Sequence, residues 1–249
     1  MPLLPWLTGT VIQIENETYN TKRFFIQVND LESFNFKAGQ FVTLDLPIHE
    51  KPNKRWRSYS IASWPDGSNV FELLIVLLEG GLGTTYLFEH VKVGSELTFR
   101  GPQGVFVLPE TIENDLFFIC TGTGIAPFRS MLNYLHLNNI PHKKIHLIYG
   151  CRTQKDLMYF DEMKSLENKM ENMFYIPTLS REEWGGAKGY VHSLYEEICR
   201  RDNEACLDLQ SLNPADFYLC GWKAMIDDAR KKIAEQGYDR KCIHFELYG

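Results

Sequence analysis

The stretch Gly122-Thr-Gly-Ile-Ala-Pro127 carries residue types whose spacing points to chemistry. It follows the apolar run Leu116–Cys120 and leads directly into a helical pattern. Glycines such as Gly122 and Gly124, around Thr123, let a backbone approach a pyrophosphate closely, and free amides at a helix start favour negative charge. Pro127 suits a first helical turn, where a missing N–H costs nothing. The third glycine of a dinucleotide fingerprint is absent, so the pattern alone fits a plain strand-to-helix turn equally well. A second glycine turn, Gly80-Gly-Leu-Gly-Thr-Thr85, also precedes a helix. Amides around Gly81, Gly83 and Thr85, with Thr84 as cap, would form an anion site; a bland turn is the alternative. The six cysteines, Cys120, Cys151, Cys199, Cys206, Cys220 and Cys242, contain no C-x-x-C pair and no iron–sulfur spacing. No metal site is expected, and scattered single thiols fit a reducing compartment.

Two kinds of element must position these turns. The first part of the chain holds short segments rich in β-branched and aromatic residues: Thr10–Ile14, Phe24–Val28, Gln40–Leu46, Ser58–Ala62, Phe71–Leu77 and Glu96–Phe99. Turn formers such as Asp66-Gly67 separate them, and one helix is expected from about Thr84 to His90. Six such strands predict a small antiparallel barrel. After Pro109 the pattern changes. Apolar runs Leu116–Cys120, Ile145–Tyr149, Phe174–Thr178, Phe217–Cys220 and Cys242–Phe245 alternate with helical spacing, as in Phe128, Leu132, Leu135 and in Met225, Ala229, Ile233. That alternation predicts a doubly wound, parallel five-stranded α/β sheet. The polar stretch Thr111–Asn114 places the boundary, giving domains 1–112 and 113–249.

Four segments, in this order, resemble the ferredoxin–NADP reductase family: Arg57-Ser-Tyr-Ser60 its R-x-Y-S flavin motif, Gly122 to Ser130 its NADP-binding turn, Cys220-Gly-Trp-Lys-Ala-Met225 its C-G-x-x-x-M segment, and Glu246-Leu-Tyr248 the plant-type terminal E-x-Y. They span nearly the whole chain.

The resemblance implies specific roles. Arg57 would grip flavin phosphates, which a guanidinium suits through paired charge-assisted bonds. Ser58 belongs to the same motif. Tyr59 would lay its ring on the isoalloxazine, and Ser60 would present its hydroxyl near flavin N5. The turn with Gly81, Gly83, Thr84 and Thr85 resembles the second flavin-phosphate contact. Arg57 to Thr84 is shorter than in the plant pattern, which bears on the adenine grip; FAD is expected, with FMN open. Gly122, Thr123, Gly124 and Pro127 would hold the nucleotide, with Gly221 and Met225. Ser180, Arg181, Lys188 and Tyr190 match the residues that bind the 2′-phosphate and adenine, so NADPH is expected. Cys220 would flank the nicotinamide, Glu246 would influence proton supply, and Tyr248 would cover the flavin as a gate. Gly249 extends one residue beyond the plant-type ending.

The implied activity is hydride exchange between NADPH and a flavin, with single electrons passing to or from a ferredoxin, flavodoxin or oxygenase partner. Two alternatives stand: reduction of free flavin or small-molecule acceptors, and a non-catalytic redox-sensing module. Lys51, Lys54, Arg55 and Arg57 form a basic stretch that suits partner docking or simple solvation. With 44% hydrophobic and 23% charged residues the chain can bury a core, and its net charge of -6 argues against a nucleic-acid binder. Met1–Val11 lacks a signal-peptide pattern, and Phe71–Leu78 is too short to span a bilayer and contains Glu72. A cytoplasmic protein is expected. Oligomeric state is not legible.

Overall fold

The computed structural model describes residues 4–204 and 212–248; Cys206, Gly249 and Met1 lie outside the described residues. The chain divides into two compact units, one running to Leu108 and including Ala126–Tyr134, the other holding Pro109–Ile125 and the chain from Leu135 onward.

In the first unit β1 (Leu7–Thr18), β2 (Thr21–Val28), β3 (Phe41–Asp45), β4 (Trp56–Ser60), β5 (Val70–Val76) and β6 (Glu96–Gln103) form an antiparallel sheet in the order β4-β3-β6-β1-β2-β5. Its ends meet: Ile61, just past β4, bridges Leu73 of β5, and the Ala62 N–H donates to the Glu72 carbonyl at 2.8 Å. The six strands therefore close into a barrel. Alternation makes them strands, since Phe24, Ile26 and Val28 of β2 are buried while Phe25 and Gln27 between them are less so. Phe34, Phe71 and Phe99 meet at the centre with ring centroids 5.1–5.7 Å apart. The helix α1 (Leu82–Glu89) buries Leu87 in that core. Glu72 is a buried carboxylate on β5. It accepts from Arg23 Nε at 2.7 Å and from Arg129 Nη1 at 2.8 Å, and Arg129 also donates to the Ala62 carbonyl at 2.9 Å. That bond set holds the Ala126–Tyr134 segment to the barrel strands.

In the second unit β7 (Asp115–Thr121), β8 (Ile145–Cys151), β9 (Met173–Leu179), β10 (Ala187–Lys188), β11 (Ala215–Trp222) and β12 (Ile243–Tyr248) form a parallel sheet ordered β10-β9-β8-β7-β11-β12. This corrects the expected five strands to six. The extra strand, β10, is two residues long and pairs with Thr178 and Leu179, too short to leave an apolar run. Residues 116–120 of β7 are all essentially fully buried, the continuous apolar pattern of a strand covered on both faces. The helices α3 (Phe160–Lys169), α4 (Val191–Glu204) and α5 (Lys223–Glu235) complete this unit, while most of α2 (Ala126–Leu137) belongs to the first. Tyr195 and Ile198 of α4 and Ile226, Ala229 and Ile233 of α5 pack with Phe117, Ile119, Phe217 and Leu219 into one core. The sheet begins at β7 in its middle and grows first one way, then the other, so a topological switch point lies between β7 and β11. Ligands of open α/β sheets bind there, outside the carboxyl ends of the strands.

Candidate functional site

In the barrel unit, period-two alternation along β4 puts Arg57 and Tyr59 on one face and Ser58 on the other. Ser58 shares a hydrogen bond with Thr43 at 3.0 Å on that other face, so the structure does not bring it to Arg57. The Arg57 Nη1 donates to the carbonyls of Trp56 (2.7 Å) and Lys54 (3.1 Å). Its side chain runs across the start of α1: a Cβ at Gly83 would stand 2.9 Å from Arg57 Cγ and 3.2 Å from Nε. A side chain there would displace Arg57. The fold thus unites a cation and a helix start that lie far apart in sequence. The N-cap is Gly81, with no side-chain cap bond, which corrects the expectation for Thr84. Thr84 lies inside the first turn, and its hydroxyl donates to the Gly81 carbonyl at 3.1 Å and accepts from the Leu78 N–H at 3.1 Å. Thr85 begins the helical ladder, its N–H donating to Gly81. A helix start with no side-chain cap beneath a guanidinium fits a phosphate. Tyr59 is half-buried against the barrel core. Burial pushes its phenol up to about 12, with the Arg57 charge opposing, so the ring is neutral. Ser60 is buried at the end of β4.

In the sheet unit, Gly122 to Ile125 form a 3-10 turn at the switch point, and Pro127 sits second in α2. Gly122 has a φ of 55°, and a Cβ on Gly124 would lie 2.3 Å from the Cys220 carbonyl oxygen. Backbone packs on backbone there, a reason for glycine that the sequence pattern alone does not give. Thr123 is partly exposed beside it. The β11–β12 register places Cys220 opposite Glu246 and Trp222 opposite Tyr248. The Cys220 thiol is fully buried; burial and then the Glu246 charge push it well above its ordinary range, while a hydrogen bond with Tyr248 opposes them. Three of the four residues nominated for catalysis therefore meet on adjacent strands. A protonated, enclosed thiol is no nucleophile. Gly221 is buried against Thr121, and Met225 packs on the core of this unit.

At the carboxyl ends of β8 and β9, the Arg181 N–H donates to the Arg152 carbonyl at 2.9 Å, so two exposed arginines neighbour each other. Ser180 spends its hydroxyl on the Cys151 carbonyl at 3.2 Å. Lys188 forms an exposed ion pair with Glu183, and Tyr190 is 75% exposed. Glu182 is occupied by Gln154, whose N–H and Nε2 donate at 2.8 and 2.9 Å. Sequence reasoning missed Arg152, which sits one residue past β8 much as Arg181 sits just past β9. It also missed Thr121, whose Oγ1 is buried at the turn with no partner among the described residues.

Comparison with known proteins places the chain in a family. Residues 8–108 match the oxidoreductase FAD-binding domain and residues 118–231 the oxidoreductase NAD-binding domain. The chain is 36% identical over 224 residues to ferredoxin--NADP reductase B of Sorangium cellulosum, covering 88% of each. It is 34% identical to the anthranilate 1,2-dioxygenase electron transfer component of Acinetobacter baylyi, with 88% of this chain and 60% of that protein aligned. A solved ferredoxin NADP+ reductase from Neisseria gonorrhoeae, with bound FAD and NADP, superposes with a TM-score of 0.78 at 25% identity, covering 97% of this chain and 98% of that one. An Amycolatopsis cytochrome P450 reductase gives 0.84 at 26%, covering 98% and 70%. The fold is that of a flavin oxidoreductase with FAD- and NAD(P)-binding domains. More narrowly, the chain belongs to the ferredoxin–NADP reductase family. It spans 60–63% of the length of several oxygenase-linked relatives.

Proposed function

We propose that this protein takes hydride from NADPH onto a bound FAD and delivers single electrons to a protein acceptor, a ferredoxin, a flavodoxin or an oxygenase component. The observation that carries the reading is the assembly at the switch point. There the glycine turn packs on Cys220, and Cys220 meets Glu246 and Tyr248. When bound, a flavin accepts two electrons together and passes them on singly. Arg57, with the amides from Gly81 to Thr85, holds the flavin phosphates; Tyr59 supports the ring, and Ser60 donates a hydrogen bond near its N5. Gly122, Thr123, Gly124, Pro127 and Gly221 hold the nucleotide. Cys220 orients the nicotinamide, Glu246 holds a proton for exchange, and Tyr248 gives way to the incoming ring. NADPH rather than NADH is favoured by Arg152, Arg181 and Lys188, a cationic group at strand ends with Ser180 and Tyr190 beside it. The name of the Sorangium relative supports the same choice.

The flavin unit is taken as residues 1–112 and the nucleotide unit as 113–249. Among the described residues no helix is long and apolar enough to cross a membrane; a cytoplasmic site of action is part of this proposal. Stopped-flow mixing with NADPH and with NADH, followed by reoxidation with ferredoxin, tests it. Rapid flavin bleaching by NADPH and reoxidation by ferredoxin are expected. Bleaching with reoxidation only by free flavin or other small acceptors would replace this reading with that of a small-molecule reductase.

A further inference from the structure

The strand β4 ends at Ser60, and the residues just past it are held by single bonds rather than by a ladder. The Ile61 N–H donates to the Gln40 carbonyl at 2.9 Å and the Ala62 N–H to the Glu72 carbonyl at 2.8 Å. The Glu72 N–H in turn donates to the Ser63 hydroxyl at 3.0 Å. Ala62 is fully buried, and a buried carbonyl left without a donor is costly. Arg129 supplies the donor. Its Nη1 reaches the Ala62 carbonyl at 2.9 Å and Glu72 Oε2 at 2.8 Å, and its guanidinium carbon lies 5.3 Å from the ring of Trp64. All of these residues belong to the first unit.

Neutralising Glu72 does not account for Arg129. Arg23 already compensates that carboxylate through Nε at 2.7 Å and Nη2 at 3.1 Å. Enclosing a further cation seldom adds stability over apolar packing, whereas directed, charge-assisted bonds fix one arrangement. What Arg129 fixes is the segment that carries Ser60, two residues before Ala62. Reactions between held groups depend on such placement: a misplacement of about 1 Å, caused away from the chemistry, costs about 100-fold in rate. Without its donor the Ala62 carbonyl would turn toward another partner, and the backbone at Ser60 would shift with it.

We propose that Arg129 is a positioning residue for hydride transfer: bonded to the Ala62 carbonyl and to Glu72, it fixes the Ser60–Ala62 segment and keeps the Ser60 hydroxyl in place beside flavin N5. This rests on the reading of Ser60 given above and names the residue through which the barrel holds it. Arg129 itself touches neither the flavin nor the nucleotide in this role; it acts through Ser60.

The test is stopped-flow reduction by NADPH of FAD-loaded wild type, Arg129→Met, Ser60→Ala and the Ser60→Ala, Arg129→Met double variant. In Arg129→Met the Glu72 carboxylate keeps Arg23, so the barrel is left with no unpaired acid. Its limiting rate of flavin bleaching is expected to fall by about ten- to a hundredfold, with the half-saturating NADPH concentration unchanged. Residues that act as one do not add, so the double variant is expected to bleach at the Ser60→Ala rate. The visible absorption bands of the bound flavin, recorded without nucleotide, are expected to shift alike in Arg129→Met and Ser60→Ala. A purely structural role would instead lower the denaturation midpoint of Arg129→Met and leave rate and spectrum as in wild type, which overturns the proposal. Rate losses that multiply in the double variant overturn it as well. Should Arg129→Met lose its flavin, the Glu72→Leu, Arg129→Met variant, in which Arg23 keeps Glu15, carries the same expectations. Wild-type flavin that NADPH does not bleach removes the hydride reading itself, whereas a variant like wild type removes only the role of Arg129.

Discussion

At the scale of single residues, charge and hydrogen-bonding capacity decide which positions recognise a ligand. Arg57 lies over the uncapped start of α1, so its loss removes the guanidinium from an otherwise intact cradle. Arg57→Ala is expected to weaken flavin binding by about 1.5–3 kcal/mol, the range for bonds to charged groups, with the barrel still folded. Flavin titration followed by fluorescence, beside a far-UV spectrum, checks this. Arg181 acts on the other ligand. Arg181→Ala is expected to weaken NADPH binding by about 1.5–3 kcal/mol and leave NADH nearly unchanged. Equal losses for both nucleotides would place the 2′-phosphate elsewhere. Arg152, sharing a backbone bond with Arg181, is the residue to examine in that event.

At the scale of elements, close backbone approach and burial dominate. The 3-10 turn before α2 exists because Gly124 packs directly on β11. Gly124→Ala would drive a methyl group to 2.3 Å from the Cys220 carbonyl oxygen, a backbone atom that cannot rotate away. Nucleotide binding is expected to fall steeply while flavin stays bound, which parallel titrations with the two ligands would separate. On β8, His146 is sandwiched between Phe117 and Phe174, with ring centroids 4.8 and 5.2 Å away. Neither of its ring nitrogens has a partner among the described residues. Burial lowers its pKa to about 4, against the pull of Asp202 and Asp115. The unfolded chain takes up a proton below pH 6.5 while the folded one does not. Stability is therefore full above that pH and falls as pH drops toward 4, by about 2 kcal/mol at pH 5. Urea denaturation at pH 7 and pH 5 measures the slope, and His146→Phe is expected to flatten it.

At the scale of the whole molecule, the Glu72 carboxylate joins parts of the chain that are remote in sequence. Arg23 comes from β2 and Arg129 from α2, and the side chains of Glu72 and Arg129 are only 3% and 5% exposed. Removing one member of a buried pair leaves the others uncompensated, so Glu72→Leu is expected to cost about 3–5 kcal/mol. Replacing Glu72 and Arg129 together by leucine and methionine is expected to cost less, because no unpaired charge from that pair remains. Chemical denaturation of both variants decides the order. The sequence marks Glu72 only as a charge inside an apolar run. Arg129 sits at a helical position of no special type, so their pairing was not legible.

Local pattern determined much of this protein by itself. Alternation in the first half and apolar runs between helical stretches in the second are short-range consequences of how side chains leave a strand or a helix. They specify a barrel and a parallel sheet without further information. The glycine turns and the Arg57-Ser-Tyr-Ser60 segment were legible for the same reason, since each is contiguous. Tertiary structure decided the rest. It added β10, which has no apolar signature because it is two residues long. It made Gly81 rather than Thr84 the cap of α1, turned Ser58 away from Arg57, and set Arg152 beside Arg181. It joined Cys220 to Glu246 and Tyr248 across a strand pair, and it brought Arg129 to the Ala62 carbonyl. Each depends on strand register or on contact between distant segments, and the energy that selects a register belongs to the packed core rather than to any one stretch of chain.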